Sequence, residues 1–269
     1  MGIRGLIGVV HLLPLPGDPG ARRAGVSSFA EVYARARADA EALAAGGVSA
    51  LVVENYGSAP FVKGSAGDHI PPHQTAALSL VCDDCSSLGL PVGVNCLRND
   101  ARTALGIAAA CDLSFIRVNV HTGAYVTDQG LIEGEAAHTL RYREALGVHE
   151  IEVWADVLVK HATPLAPLDA ATATRDCIDR GLADAVIVTG AATGAPVDLG
   201  LLEQVRGAAA DKPVVIGSGL SPANAKQLLP AADAAIVGTY FKRDGDVRAP
   251  VEQARVREMV DLCAPLLAR

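Results

Sequence analysis

Three residues able to move protons or attack a carbonyl fall within six positions of one another: Asp156, Lys160 and His161. A carboxylate or an imidazole can shuttle a proton, and a desolvated lysine can form a Schiff base. Lys160 is four residues beyond the acid, where a plain surface lysine fits equally well. Asp156 closes the apolar run 151–155, so it stands at the end of a strand. Other short apolar runs close in the same way, on His11, Glu54 with Asn55, Asn95, Arg117 with Asn119, Thr189, Ser218 and Thr239. Any one of these could be a helix cap or a loop hydrogen bond. As a set they describe a polar ring able to hold a polar ligand. The catalytic candidates are Asp156, His11, His161, Lys160 and Glu54. Asn55, Asn95, Arg117 and Asn119 would orient hydroxyls or stabilise an oxyanion. His11, Glu54, Asp156 and His161 are also metal-ligating types. No HxH or HExxH spacing accompanies them, so neither a metal nor a cofactor is expected.

A second chemistry is written in glycine. The runs 213–216 and 234–237 end in Gly217-Ser218-Gly219 and in Gly238-Thr239. Glycines let backbone N–H groups approach an anion, and Ser221-Pro222 reads as the N-cap and first turn of a helix whose dipole would help. Gly190, Thr193 and Gly194 form a third glycine-rich loop beside these two. Together they predict a phosphate site, although the same glycines would also suit tight strand-to-helix turns.

These groups need a frame that brings strand ends together. Apolar runs at 5–10, 50–53, 91–94, 114–118, 151–155, 185–188, 213–216 and 234–237 read as eight buried strands. Helical patterns fill the gaps, among them one opening on Ser28 with Glu31 in capping-box spacing and stopped by Gly46-Gly47. Others cover 75–88, 133–146 and 198–208. Alternation of this kind predicts a single (β/α)8 TIM barrel over 1–269, with phosphate-binding loops after its seventh and eighth strands. Two long loops stand out, 56–72 and 119–133. The second carries Asp128 and Gln129 as candidate substrate contacts. Glycines at 123, 130 and 134 would let it move as a lid, or it would pack against a neighbouring subunit of a homo-oligomer.

The chain has 269 residues and a net charge of −7, with no basic run of five or more. That balance argues against a nucleic-acid polymer as partner. The apolar start breaks at Pro14 and Pro16, too early to enter a bilayer, and a cytoplasmic location is expected. Six cysteines are scattered. Cys82 and Cys85 form a CxxC inside a helical stretch without a second pair, which suits buried reduced thiols better than zinc or redox chemistry.

Several of these stretches carry a family resemblance: HLLPLPG (11–17), ENYGSAPF (54–61), GVNCLRND (93–100), FIRVNVHTGAYVTDQGLIEG (115–134), ADVLVKHATPL (155–165), TGAATGAPVD (189–198), and GSGL with VGTYFK near the end. In these the chain resembles the BtpA/SgcQ family along essentially its whole length. The resemblance implies a TIM barrel related to phosphosugar-binding enzymes. It implies an acid within the second motif (ENxGDxPF), where this chain has Ser58. The family is named for a cyanobacterial factor needed to accumulate photosystem I, while other members sit among sugar-metabolism genes. Two functions are therefore expected to compete. One is an enzyme acting on a phosphorylated sugar or nucleotide by acid–base chemistry, as an isomerase, a lyase or a glycosyl-transfer enzyme. The other is a non-catalytic assembly or regulatory factor.

Overall fold

The structure, a computed structural model, describes residues 2–64, 67–190 and 194–267. Eight parallel strands close into a barrel: β1 (Gly5–His11), β2 (Ala50–Glu54), β3 (Val92–Asn95), β4 (Phe115–Val118), β7 (Glu152–Val157), β9 (Ala185–Val188), β10 (Val214–Ile216) and β11 (Ala234–Val237). The remaining strands are β5 (Ala124–Thr127), β6 (Gly130–Glu133) and β8 (Ala162–Pro164), which form a separate three-stranded sheet. Each expected strand is present. The ends differ by at most two residues, and Glu54, Asn95 and Asp156 lie inside their strands rather than after them.

Strand alternation sorts the core into two layers. Inward-facing Ile7, Val9, Ala50, Val52, Ala185, Ile187, Val215, Ala234 and Ile236 fill the barrel. Phe115 and Trp154 stack across it, with ring centroids 4.0 Å apart. Outward-facing Val10, Leu51, Val53, Ile116 and Val186 meet the helices instead. The helix Phe29–Gly46 begins as its sequence predicts, with the Ser28 hydroxyl accepting from the Glu31 N–H, and Gly47 ends it in the left-handed conformation.

Two expectations fail. The helix after β10 does not begin at Ser221-Pro222: residues 222–224 form a turn, and the helix is the four residues Ala225–Leu228. The Asn224 side chain accepts from the Ser221 N–H at 2.9 Å and donates to the Gly219 carbonyl at 2.9 Å, which holds the chain in the turn. The stretch 119–133 is likewise no open loop. Its alternating AYVT and GLIE pair as an antiparallel hairpin, with Gly130 at φ 91° after the turn. Tyr125 and Ile132 point inward and form a small core of their own with Val120 and Val159.

Candidate active site at the barrel mouth

The inward parity that fills the barrel with apolar side chains continues upward into polar ones. His11 stands two residues beyond Val9, Glu54 beyond Val52, Asn95 beyond Gly93, Arg117 beyond Phe115 and Asp156 beyond Trp154. All five therefore project into the mouth, over a floor of apolar side chains. Arg117 lies between the two carboxylates. Its NH1 donates to Glu54 Oε1 at 3.3 Å, while Nε and NH2 donate to the two oxygens of Asp156, each at 3.2 Å. Asn119 donates to Asp156 at 2.8 Å and Asn95 to Glu54 at 3.0 Å. His11 Nε2 is 3.7 Å from Glu54 Oε2, and its ring leans on Tyr56 with centroids 4.7 Å apart.

Burial sets the charge states here. Burial, then the positive charges of Lys242, Lys160 and Arg117, pushes His11 well below 6.5, so its imidazole is neutral near pH 7. Burial opposes the Arg117 charge, but Asp156 and Glu54 outweigh it and hold the guanidinium protonated. Lys160 is lowered by burial first and by Arg117 second, with Glu54 and Asp156 pulling the other way. Lys160 thus lies in the field of the acids without an ion pair to either among the described residues, and it comes from the loop between β7 and β8. The neighbouring His161 is exposed, at φ 57°, and is lowered by burial, Lys160 and Arg98. Asp128, at the exposed hairpin tip, acts on Arg98 and His161, so the hairpin reaches back toward the mouth. Beside Asp128, Gln129 hydrogen-bonds its carboxylate and Thr127, within the turn.

Some expected contacts point elsewhere. Asn55 turns away from the mouth: its side chain accepts from the Leu97 N–H at 2.7 Å and donates to the Leu97 carbonyl at 2.8 Å, tying two loops together. One parity step from Glu54, it cannot share the inward direction. Gly217 is not free to donate to an anion, because its N–H is given to the Val188 carbonyl at 2.7 Å. At Gly238 glycine makes room for a side chain, since a Cβ there would lie 2.7 Å from His11 Cε1. Thr189 receives the Lys160 N–H at 3.1 Å, and Ser218 receives that of Gly190 at 3.4 Å, so both brace loops. Thr193 lies outside the described residues.

The glycine loops nevertheless border a cleft of about 820 Å³, lined by Gly194, Gly219, Ser221, Gly238 and Thr239 among others. Gly219 is required there. Its φ is 73°, and a Cβ would fall 1.9 Å from the Ala195 carbonyl oxygen. Sequence reading missed Arg98, which is 6% exposed and reaches the mouth from the loop after β3. No strand parity marks it, and only the contact of its loop with Lys160 brings it in. Ser58, in the place of the implied acid, donates to the buried Asp18 at 2.6 Å, a contact that joins the first two strand-end loops. Burial raises Cys82 well above 9.0 and Cys85 to about 12, which disfavours the thiolates of the CxxC, and all six cysteines are free.

A closed (β/α)8 barrel with a charged, buried cluster at the C-terminal ends of its strands is the architecture of a TIM-barrel protein. Within that class the chain belongs to the BtpA family, whose model matches residues 3–265. It is 46% identical to the photosystem I biogenesis protein BtpA of Synechocystis sp., over 96% of this chain and 88% of that one. It is 29% identical to the putative sgc region protein SgcQ of Escherichia coli K12, over 96% and 93% of the two chains. Among solved structures it is similar in fold to a tryptophan synthase chain from Mycobacterium tuberculosis, with a TM-score of 0.61 and 19% identity over 99% of this chain and 93% of that one. No helix among the described residues is long and apolar enough to cross a membrane.

Proposed function

We propose that this protein is an enzyme acting on a phosphorylated small molecule by acid–base chemistry. The observation that carries the reading is a buried polar cluster left incomplete. His11 Nδ1, Asn95 Oδ1 and Asn119 Oδ1 are buried without a hydrogen-bond partner among the described residues. Each such atom costs about 1–3 kcal/mol, a burden that folds carry where a ligand completes the bonding. Arg117 occupies the space between Glu54 and Asp156, and its two bonds engage both oxygens of the Asp156 carboxylate. Asp156 therefore fixes the guanidinium in place, and proton transfer falls to His11 with Glu54. The cleft beside Gly238 takes the phosphate, next to the His11 ring.

Calorimetric titration with ribose 5-phosphate tests the phosphate part. Thr239→Val should weaken binding at least tenfold, about 1.4 kcal/mol, while His11→Gln should abolish turnover and keep affinity within tenfold. Failure of ribose 5-phosphate, glycerol 3-phosphate and inorganic phosphate alike to bind the unaltered protein would overturn this reading. A non-catalytic assembly role is the second reading. It draws on the name of the 46% identical relative and on exposed Val126, Leu131 and Leu165 on and beside the outer sheet.

A further inference from the structure

Among the described residues, two cations of the mouth make no ion pair. The ion pairs there engage Arg117, Glu54, Asp156 and His11; among the described residues no carboxylate pairs with Arg98 or Lys160. Arg98 is 6% exposed, its Nε is buried without an acceptor among the described residues, and its NH2 is given to the Lys160 carbonyl at 3.0 Å. That bond ties the Arg98 guanidinium to the loop after β7, and the Thr189 hydroxyl on the Lys160 N–H ties the same loop to the one after β9, so Arg98 and Lys160 come from adjoining loops over the mouth. Asp156 and Arg117 act on both of them. Arg98, Arg117 and Lys160 stand against Glu54 and Asp156, and the His11 ring is neutral. Among these buried groups, with exposed Asp128 left out of the count, one positive charge is left over. An uncompensated charge in such a place is expensive, and the usual compensation is an anion.

We propose that Arg98 and Lys160 hold a carboxylate of the substrate, which makes the substrate a phosphorylated acid rather than a neutral sugar phosphate. The proposal rests on the phosphate reading above and adds the second end of the molecule. A carboxylate matches better than a second phosphate on two counts. It brings one negative charge for one surplus positive charge, where a phosphate brings about 1.5 to 2. It also offers two oxygens in a plane, one for the idle Arg98 Nε–H and one for the ammonium. Asp128 is the nearest competing acid in its influence on Arg98, but it is exposed at the hairpin tip and makes no ion pair with it among the described residues.

The test compares 6-phosphogluconate with sorbitol 6-phosphate, which differ only in carboxylate against hydroxymethyl, and includes gluconate as a carboxylate without phosphate. Binding to the intact protein is read by calorimetry. The acid phosphate should bind at least tenfold tighter than sorbitol 6-phosphate. Arg98→Gln and Lys160→Met should each remove most of that gap while leaving sorbitol 6-phosphate within about twofold; Lys160→Met serves should Arg98→Gln fail to fold. Equal affinities in the unaltered protein, or a gap that survives both substitutions, would overturn the carboxylate site. Gluconate binding that depends on Arg98, with no binding of sorbitol 6-phosphate, would keep this site and remove the phosphate one. Silence from all three probes would overturn both.

Discussion

Two clusters of buried charge in this molecule obey the same electrostatics and end differently. Behind the barrel, Asp39 on the first long helix accepts from Lys242 Nζ at 2.7 Å and from the Val251 N–H at 2.8 Å, with Arg35 Nε at 3.1 Å. There Lys242 and Arg35 both pair with Asp39, and Arg35 NH2 is given to the Arg248 carbonyl, although Arg35 Nε makes no hydrogen bond among the described residues. At the mouth, by contrast, Arg117 is answered twice over while Arg98 Nε, His11 Nδ1 and two amide oxygens are answered by nothing among the described residues. The first cluster fastens the segment after the last strand to a helix at the start of the chain. The second has bonding capacity to spare, and spare capacity in a buried place is what a ligand uses.

The largest expected effect breaks the closed cluster. Asp39→Leu leaves Lys242 buried beside an apolar group and should cost about 3–5 kcal/mol of unfolding free energy, measured by urea titration. Adding Lys242→Met to it should recover most of the loss, since no uncompensated charge remains. A cost below 1 kcal/mol for Asp39→Leu would mean that the pair contributes little and that the contrast is false.

The same measurement at the mouth should give the opposite sign. Lys160→Met removes a charge the protein leaves unpaired, so stability should rise by about 1 kcal/mol even as anion binding falls. Destabilisation instead would place Lys160 with Asp39 among the residues that hold the fold.

The last effect concerns pH and is read as a slope. His11 is held below 6.5 in the folded protein, so above 6.5 its ring is neutral in both states and its contribution is complete. As the pH falls below 6.5 the unfolded chain takes up a proton that the folded one refuses, and stability drops until the folded value is passed. That slope cannot exceed about 1.4 kcal/mol per pH unit for one group. His11→Gln should flatten it below pH 6.5, while His121 and His161, also lowered, stay in both proteins and cancel in the difference. An unchanged slope would show that the ring is accessible to protons and outside the buried cluster.

The sequence by itself determined the barrel, because each strand is a local apolar run whose alternation and flanking turns need no distant partner to be recognised. It also determined that His11, Glu54, Asn95, Arg117 and Asp156 stand at strand ends, and alternation from Val9, Val52, Gly93, Phe115 and Trp154 sets their direction. Tertiary structure alone decided the partners. Arg117 and Asp156 lie 39 positions apart, Arg98 and Lys160 62, and Asp39 and Lys242 203. Such pairs depend on how the closed barrel staggers its strands and on which loops fold over the mouth. Tertiary structure also turned Asn55 toward Leu97, one side-chain step from Glu54, and made a hairpin of a segment whose glycines read as hinges. The physical reason is range: alternation and turn chemistry act over a few residues, whereas an ion pair forms only where the closed fold brings two distant side chains within about 4 Å of each other.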